Sequence, residues 1–206
     1  MTYPGIHKGN PLILASASPR RKRLLAQLNL PFRALTSHVE EEGIEGEPAK
    51  RSLDLASKKA AEIQHKAKGS WVLGADTMVV INGEILGKPI DRDEVTRMLR
   101  LLSGREHQVI TGFCVLAPDG KRAHKESVTT FVRVKRLDDE AIEDYIATGE
   151  PYGKAGSYAI QGIGSFMIES ISGSYTNVVG LPLCALIKTL LKMGALKRFP
   201  MSGSRV

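Results

Sequence analysis

Apolar positions recur with two different spacings along the chain. Near-continuous apolar runs predict strands, and apolar residues three and four positions apart predict helices. Predicted strands cover residues 11–15, 32–36, 71–81, 84–86, 108–116 and 127–135. Predicted helices cover residues 19–28, 48–66 and 138–147, the segment between Asp91 and Ser103, and a last segment that opens at Pro182.

The mixture of strands and helices predicts an α/β fold with a mixed sheet. Asn82-Gly83 is a strong turn signal, so residues 84–86 are expected to return as a hairpin partner of the strand before them. Residues 151–182 are rich in glycine and serine and contain only short strand-like pieces. A segment of this length inside a compact domain is usually functional or poorly ordered.

Composition places the chain among soluble globular proteins. Its 206 residues are 42% hydrophobic and 25% charged, and no apolar run approaches the roughly 20 residues that a membrane helix requires. The apolar patch near the N-terminus is too short for a signal peptide, and arginines follow it directly. Cys114 and Cys184 lie in apolar surroundings, so we expect buried, reduced thiols and a cytoplasmic protein.

The formal net charge of +7 permits nucleic acid, a membrane surface or a small polyanion as partner. Interleaved aromatic residues would favour single-stranded nucleic acid. Aromatic residues make up only 5% of the chain and do not cluster with the basic residues. A small phosphorylated ligand is therefore favoured at least as strongly as nucleic acid.

The stretch LILASASPRRKRLL, residues 12–25, places four cations at the start of a predicted helix. Ser18 followed by proline is a favourable start. Arg20 and Arg21 then add charge where backbone N–H groups are already positive, at about 0.3–1 kcal/mol each. A phosphate bound by these N–H groups, the two guanidiniums and the hydroxyls of Ser16 and Ser18 would offset that cost. A solvated basic helix face is the alternative.

Asp76 interrupts the buried apolar strand WVLGADTMVV. An ionised carboxylate there costs several kcal/mol unless it is paired, hydrogen-bonded or bound to a metal. Two interpretations stay open: a structural partner such as a buried cation or a backbone turn, and a metal ligand or general base at a strand end. Gly74 would let the backbone bend or a ligand approach closely.

Two lysines are further candidates. Lys88 follows the hairpin and Lys59 lies at the edge of the apolar stripe of its helix, so either could neutralise phosphate oxygens in a transition state. An ordinary surface lysine is the alternative for each. One carboxylate of the acidic residues 40–42, together with Asp76, could hold Mg²⁺ through water and phosphate oxygens. His107 has no partner at ligand spacing and is interpreted as structural or solvated.

Four ordered stretches carry a family resemblance. They are LASASPRR (14–21), GADTMVV (74–80), GEILGKP (83–89), and GEPYGKAGSYAIQGIG (149–164) with SGSYTNVVGLPL (172–183). Together they resemble the Maf family of nucleoside triphosphate pyrophosphatases from about residue 11 to 192. The resemblance implies an elongated mixed β-sheet with flanking helices and a central cleft, similar to the inosine-triphosphate pyrophosphatases.

The resemblance also implies an activity: hydrolysis of a nucleoside triphosphate to the monophosphate and pyrophosphate with Mg²⁺ or Mn²⁺. The form KAGSY…QG resembles the subgroup acting on dTTP and UTP rather than the sister subgroup acting on methylated guanine nucleotides. By resemblance, the substrate-binding residues correspond to Ser16, Ser18, Arg20, Arg21 and the base-proximal Gln161, the metal ligands to Glu41 and Asp76, and the catalytic residues to Asp76, Lys59 and Lys88.

Further expectations concern organisation and partners. The resemblance implies one domain over residues 11–195 with two lobes around the cleft, flanked by an extension at 1–10 and a tail at 196–206 that are expected to be loose ends. Homodimers are frequent in the family, and neither a membrane nor a stable nucleic-acid partner is expected. Modified pyrimidine nucleotides are as plausible as dTTP or UTP.

Two rival functions stay open. One is a basic nucleic-acid-binding module without catalysis, which predicts salt-sensitive affinity and tolerance of Asp76→Asn. The other is a regulatory interaction protein, because the family is associated with septum formation and arrest of cell division. The second role is compatible with catalysis.

Overall fold

The computed structural model describes residues 3–40 and 46–201, which fall into two compact units. Unit 1 contains the described residues up to Asp76, Thr111–Val128, and the described residues from Gly180 onward. Unit 2 contains Thr77–Ile110 and Thr129–Val179.

The strands and helices alternate along the chain much as the apolar pattern predicts. The strands are β1 (Leu12–Ala15), β2 (Phe32–Leu35), β3 (Val72–Ile81), β4 (Glu84–Leu86), β5 (Glu106–Leu116), β6 (Arg122–Val134) and β7 (Ile168–Ser172). The helices are α1 (Pro19–Gln27), α2 (Pro48–Gln64), α3 (Arg92–Leu102), α4 (Asp139–Ala147), α5 (Tyr175–Val179) and α6 (Leu183–Lys192).

The strands form one mixed sheet. Its order is β2-β1-β3-β5-β6-β7, with β4 paired to β3 beside this path. Strand β1 runs parallel to β2 and β3, whereas the β3–β4 and β6–β7 pairs are antiparallel. The predicted α/β fold with a mixed sheet and flanking helices is therefore confirmed.

The glycine-rich segment contains one short strand, as its strand-like pieces predicted, but is otherwise built from turns and a short helix. It forms 3₁₀ turns at Ala155–Ser157 and Ile163–Met167, the strand β7 and the short helix α5. Gly153 and Gly156 both have φ at 71°, a left-handed conformation that β-strands do not use. Glycine conformations of this kind turn the chain instead of extending it.

Two further expectations need correction, one about the N-terminal extension and one about a cysteine. The Trp71 indole N–H donates to the Pro4 carbonyl at 2.8 Å, and the buried Ile6 donates its N–H to the Ala195 carbonyl at 2.8 Å. The described part of the N-terminal extension is therefore packed on unit 1 and is not a loose end. Cys114 is buried as expected, but Cys184 is exposed because it lies on the outer face of α6.

Within residues 3–40 and 46–201, no helix has both the length and the apolar character needed to cross a bilayer.

Candidate functional site

Helix α2 lies unusually close to the sheet of unit 1. A β-carbon at Gly74 would lie 2.1 Å from the carbonyl oxygen of Ala56 and 2.9 Å from the backbone nitrogen of Ala60. On β5, a β-carbon at Gly112 would lie 2.5 Å from the carbonyl carbon of Ser52. Both positions therefore require glycine, and the close approach that the sequence suggested for a ligand at Gly74 is made by α2 itself.

This close packing brings a lysine of α2 to the buried aspartate of β3. The Nζ atom of Lys59 lies 2.6 Å from Oδ1 of Asp76, and the two side chains are 11% and 10% exposed. The ion pair compensates the cost of burying the carboxylate. The Oδ2 atom of Asp76 has no hydrogen-bond partner among the described residues, so one oxygen of the carboxylate stays available.

The register of the sheet connects Asp76 to the turn that follows β1. Ala15 on β1 is the register partner of Gly74 on β3, and the two strands are parallel. Ser16, the residue after Ala15, therefore lies at the same level of the sheet as the part of β3 that leads to Asp76. The Ser16 hydroxyl is buried and accepts hydrogen bonds from the Ser18 N–H at 3.2 Å and from Nη1 of Arg21 at 3.3 Å.

Helix α1 begins without any negative charge of its own. Ser18 is the N-cap, its hydroxyl accepts the Arg21 N–H at 3.5 Å, and the first turn contains no acidic residue. Nε of Arg21 donates to the Gly180 carbonyl at 2.8 Å, which fixes this guanidinium. Arg20 is half-buried with no side-chain partner among the described residues, and burial lowers its pKa. This helix start is thus suited to bind an anion.

The predicted site residues are distributed over both units. Unit 1 contains the pair Lys59–Asp76 and the β1–α1 turn. Glu41 lies outside the described residues. Unit 2 contains Lys88 and Gln161, and each is described there.

Lys88 is exposed in the loop between β4 and α3. The carbonyl oxygen of the preceding residue, Gly87, accepts the N–H of Gly156 at 3.1 Å. This hydrogen bond joins the Lys88 loop to the glycine-rich segment, where Gln161 also lies. Gly156 tolerates no side chain, since a β-carbon there would meet Val79 at 2.9 Å.

Gln161 lies half-buried between two backbone stretches that are held by the half-buried Glu150 carboxylate and the Tyr145 hydroxyl bonded to it. The Glu150 carboxylate accepts the N–H groups of Ile163 at 2.9 Å and Gly164 at 2.8 Å. The Tyr145 hydroxyl donates to Glu150 at 2.8 Å and accepts the Ala159 N–H at 3.3 Å. The segment is therefore fixed on both sides of Gln161, whose own amide has no side-chain partner among the described residues.

The electrostatics of this Tyr145–Glu150 pair follow from its contacts. Burial raises the pKa of Glu150, but the N–H donors, the Tyr145 hydroxyl and Lys154 lower it, and the net pKa lies below its usual value. Burial and the carboxylate raise the pKa of Tyr145. A β-carbon at Gly162 would lie 1.9 Å from Oε2 of Glu150, so this position requires glycine.

Sequence reasoning did not assign the Tyr145–Glu150 pair. Glu150 lies within the quoted motif GEPYGK, but nothing in the sequence connects it to the backbone thirteen residues later. The glycines at 162 and 164 were the available signal, because glycines at fixed spacing indicate a close neighbour. The contact of Arg21 with the Gly180 carbonyl was also missed, because nothing in the sequence connects these two positions.

His107 also supports the glycine-rich segment. It is 2% exposed, and its Nε2 atom hydrogen-bonds the Tyr158 hydroxyl at 2.8 Å. Its Nδ1 atom has no partner among the described residues, and burial lowers its pKa to about 4. The structural interpretation of this histidine is confirmed.

Asp76 presents one carboxylate oxygen that could take part in binding a divalent cation. The described residues contain no group of three or more His, Cys, Asp or Glu side chains arranged for a metal. Mg²⁺ in phosphate-handling sites is commonly held by one or two carboxylates plus substrate phosphate oxygens. The free Oδ2 atom fits such an ion, with the remaining ligands supplied by phosphate and water.

A mixed α/β sheet, a buried carboxylate–lysine pair and an arginine-rich helix start are together typical of proteins that act on phosphorylated small molecules. The sequence profile described as "Maf-like protein" matches residues 11–193. The chain belongs to the Maf family.

Several curated relatives are close in sequence and length. A "dTTP/UTP pyrophosphatase" of Syntrophotalea carbinolica is 49% identical over 191 residues, covering 91% of this chain and 87% of the relative. A "dTTP/UTP pyrophosphatase" of Geobacter sulfurreducens is 50% identical over 186 residues, covering 90% and 97%.

Solved structures match less well. A nucleoside-triphosphatase named as a dITP/XTP pyrophosphatase from Mycobacterium abscessus superposes with a TM-score of 0.41 at 16% identity, covering 91% of this chain and 100% of that chain.

Proposed function

We propose that this chain is a nucleoside triphosphate pyrophosphatase that hydrolyses dTTP and UTP to the monophosphate and pyrophosphate. The relatives support the substrate class, because chains that are half identical over nearly their whole length carry that name. The observation that carries the proposed chemistry is the buried Asp76, paired with Lys59 through one oxygen and open at the other.

Substrate binding begins at helix α1. The triphosphate is bound by the N–H groups of the first turn and by the guanidiniums of Arg20 and Arg21. Its negative charge compensates the positive helix start, which has no acidic residue in its first turn. The hydrogen bonds from Arg21 to Ser16 and Gly180 hold its side chain ready before substrate arrives. A pre-organised guanidinium loses less conformational freedom on binding.

The hydrolytic step uses the carboxylate of Asp76. This carboxylate orients a water and accepts its proton as the water oxygen forms a bond to the α-phosphorus. The bond from that phosphorus to the oxygen bridging toward the β-phosphorus breaks, and pyrophosphate leaves. General-base help of this kind contributes about 10²–10⁴ in rate. Lys59 and Lys88 offset the negative charge that develops on the leaving group.

A divalent cation, Mg²⁺ or Mn²⁺, is part of the proposal. Asp76 and Glu41 would hold it together with phosphate oxygens. When bound, such an ion neutralises phosphate charge and stabilises the departing pyrophosphate.

Base selection is assigned to Gln161. Its amide both donates and accepts a hydrogen bond, which matches the imide edge of uracil and thymine. A base with the wrong edge would leave buried polar groups unpaired, so it is rejected by a large factor. Modified pyrimidine nucleotides keep this edge and are included among the proposed substrates. A cytoplasmic location, a homodimer and a role in septum formation stay predictions.

The test is a nucleotide panel assayed for pyrophosphate release with Mg²⁺, Mn²⁺ and a chelator. The panel contains UTP, dTTP, modified pyrimidine triphosphates, and common and methylated guanine triphosphates. We expect the pyrimidine nucleotides to release pyrophosphate, and we expect the chelator to abolish this release. Activity confined to guanine nucleotides would contradict the base assignment, and no activity with any nucleotide would contradict the enzyme.

Asp76→Asn separates catalysis from the nucleic-acid rival. We expect turnover to fall by about 10² or more, with the circular dichroism spectrum unchanged. The matched control is Asp54→Asn on the same helix as Lys59, at a half-exposed position. If the Asp76 variant keeps full turnover, the assignment of the general base is wrong.

A further inference from the structure

Four arginines of unit 2 surround one cavity of about 590 Å³. Arg100 belongs to α3, Arg105 immediately precedes β5, Arg133 belongs to β6 and Arg136 follows β6. We call this cavity the arginine pocket. None of the residues assigned above to catalysis or substrate binding lines it.

The positive charge of the arginine pocket is only partly compensated. The one acidic residue in its lining, Asp139, accepts two hydrogen bonds from Arg100 at 3.0 and 2.9 Å. Arg133 donates to Glu169 at 3.0 Å. Arg105 and Arg136 have no side-chain partner in the part of the chain that the structure describes. Two guanidiniums thus remain for a ligand.

The backbone holds together the two segments that carry Arg105 and Arg136. Segment 103–105 and segment 134–137 each contribute a wall of the pocket, and hydrogen bonds join them directly. They run from the Leu137 N–H to the Ser103 hydroxyl at 2.8 Å, from the Gly104 N–H to the Lys135 carbonyl at 3.1 Å, and from the Val134 N–H to the Arg105 carbonyl at 3.0 Å. The main-chain positions of Arg105 and Arg136 are therefore fixed close to each other, while their exposed side chains point to solvent and can meet a ligand.

We propose that the arginine pocket binds the phosphate chain of a small polyphosphate, as a second anion site of this protein. Guanidinium groups match phosphate oxygens with two parallel N–H donors, and a phosphate chain offers several such oxygens, so that it can contact two arginines at once. The cavity volume falls within the range of small-molecule sites, about 300–1,000 Å³. The chain can come from an inorganic polyphosphate or from a nucleotide. The inference does not depend on the proposed function.

The test is calorimetric titration of the full chain carrying Arg20→Gln and Asp76→Asn, which removes a half-buried arginine of helix α1 and the proposed general base. The probes are inorganic tripolyphosphate and UTP, at low ionic strength. We expect binding at the arginine pocket to persist in this background, beside any residual binding at helix α1 through Arg21. Adding Arg105→Gln and Arg136→Gln should weaken it by about tenfold or more, because two charge-assisted contacts are lost.

The matched control adds Arg92→Gln and Arg97→Gln instead, which removes two exposed arginines of α3 outside the pocket. We expect this pair to change the affinity by less than about twofold at moderate salt. Equal binding of tripolyphosphate and UTP identifies the phosphate chain alone as the ligand, whereas binding of UTP only identifies a nucleotide.

Three results would overturn the proposal. The first is absence of binding in the parent background, together with no shift of the Arg105 Nε–Hε signal in NMR spectra of the unsubstituted protein. The second is equal weakening by the control pair, which would reflect net charge alone. The third is duplex DNA that binds through Arg105 and Arg136 where tripolyphosphate does not.

Discussion

Nζ of Lys59 and Oδ1 of Asp76 are 2.6 Å apart, and only about a tenth of each side chain is exposed. Removing one member of an ion pair this deeply buried is costly, because the charge of the other member stays desolvated without a partner. We therefore expect Lys59→Met to lower the free energy of unfolding by about 3–5 kcal/mol. Urea denaturation measures the change.

The control for this prediction is Lys58→Met, at the exposed position before Lys59. Combining Lys59→Met with Asp76→Leu should recover part of the loss, with a coupling energy of about 1–3 kcal/mol in the double-mutant cycle. Equal effects of the Lys58 and Lys59 substitutions on the free energy of unfolding would show that the ion pair between Lys59 and Asp76 does not contribute to stability.

Gly74→Ala is expected to reduce both stability and activity. The new methyl group would lie 2.1 Å from the Ala56 carbonyl oxygen, so helix α2 must shift away from β3. Overpacking of this kind costs about 1–3 kcal/mol or more, and the shift would also displace Lys59 from Asp76. Thermal denaturation and turnover of UTP check both effects.

Gly5→Ala is the matched control, since its new methyl group would meet its nearest neighbour at an ordinary 3.5 Å. A Gly74→Ala variant as stable and active as the Gly5→Ala variant would mean that α2 does not rest on Gly74.

Stability is expected to fall as the pH falls from about 6.5 to 4. Burial lowers the pKa of His107 to about 4, from an ordinary value of 6.5, so the unfolded chain takes up a proton that the folded chain excludes. Above pH 6.5 His107 is neutral in both the folded and the unfolded chain, so its burial does not reduce the free energy of unfolding. About 3 kcal/mol is lost across this window, at 1.36 kcal/mol per pKa unit.

The measurement is the free energy of unfolding across the pH range for the wild type and His107→Gln. The variant should show a flatter dependence, whereas His65→Gln, at an exposed position, should follow the wild type. Parallel profiles for all three proteins would contradict the assignment to His107.

Glu150→Gln is expected to raise KM for UTP more than it lowers kcat. The neutral amide accepts the Ile163 and Gly164 N–H groups more weakly than the carboxylate does, so the segment around Gln161 is held less firmly. The pKa of Glu150 lies below its ordinary value, so the ionised side chain stabilises the folded protein. This stabilisation is present above the ordinary carboxyl pKa and is lost as the pH falls below it.

Steady-state kinetics with Glu140→Gln as the exposed control checks this prediction. If Glu150→Gln lowers kcat and leaves KM unchanged, the pair Tyr145–Glu150 does not act through the base-binding segment.

The sequence predicted local structure well and long-range contacts poorly. Asp91 and Ser18 are recognisable caps, and Asn82-Gly83 adopts the two positive φ angles, 52° and 82°, of its turn. Such features depend on neighbouring residues. The contact between Lys59 and Asp76 depends on the distance between a helix and a strand, which no local pattern states.

The glycine-rich segment shows the same limit more clearly. Its composition indicated function or poor order, but its turns are held by Glu150, Tyr145 and His107, which lie outside the segment and are joined to it by no local pattern. The same separation hides the arginine pocket. Arg105 and Arg136 are 31 positions apart and meet only because two backbone segments are hydrogen-bonded to each other.

Helix α2 is seated on glycines of two neighbouring strands, so the spacing between its lysine and the aspartate is inherited from main-chain geometry and not from side-chain choice. The outward surface of α2 can accordingly be redesigned, for solubility or for surface attachment, without retuning the ion pair. A change of the spacing between α2 and the sheet would instead start at Gly74 or Gly112, on which the helix rests.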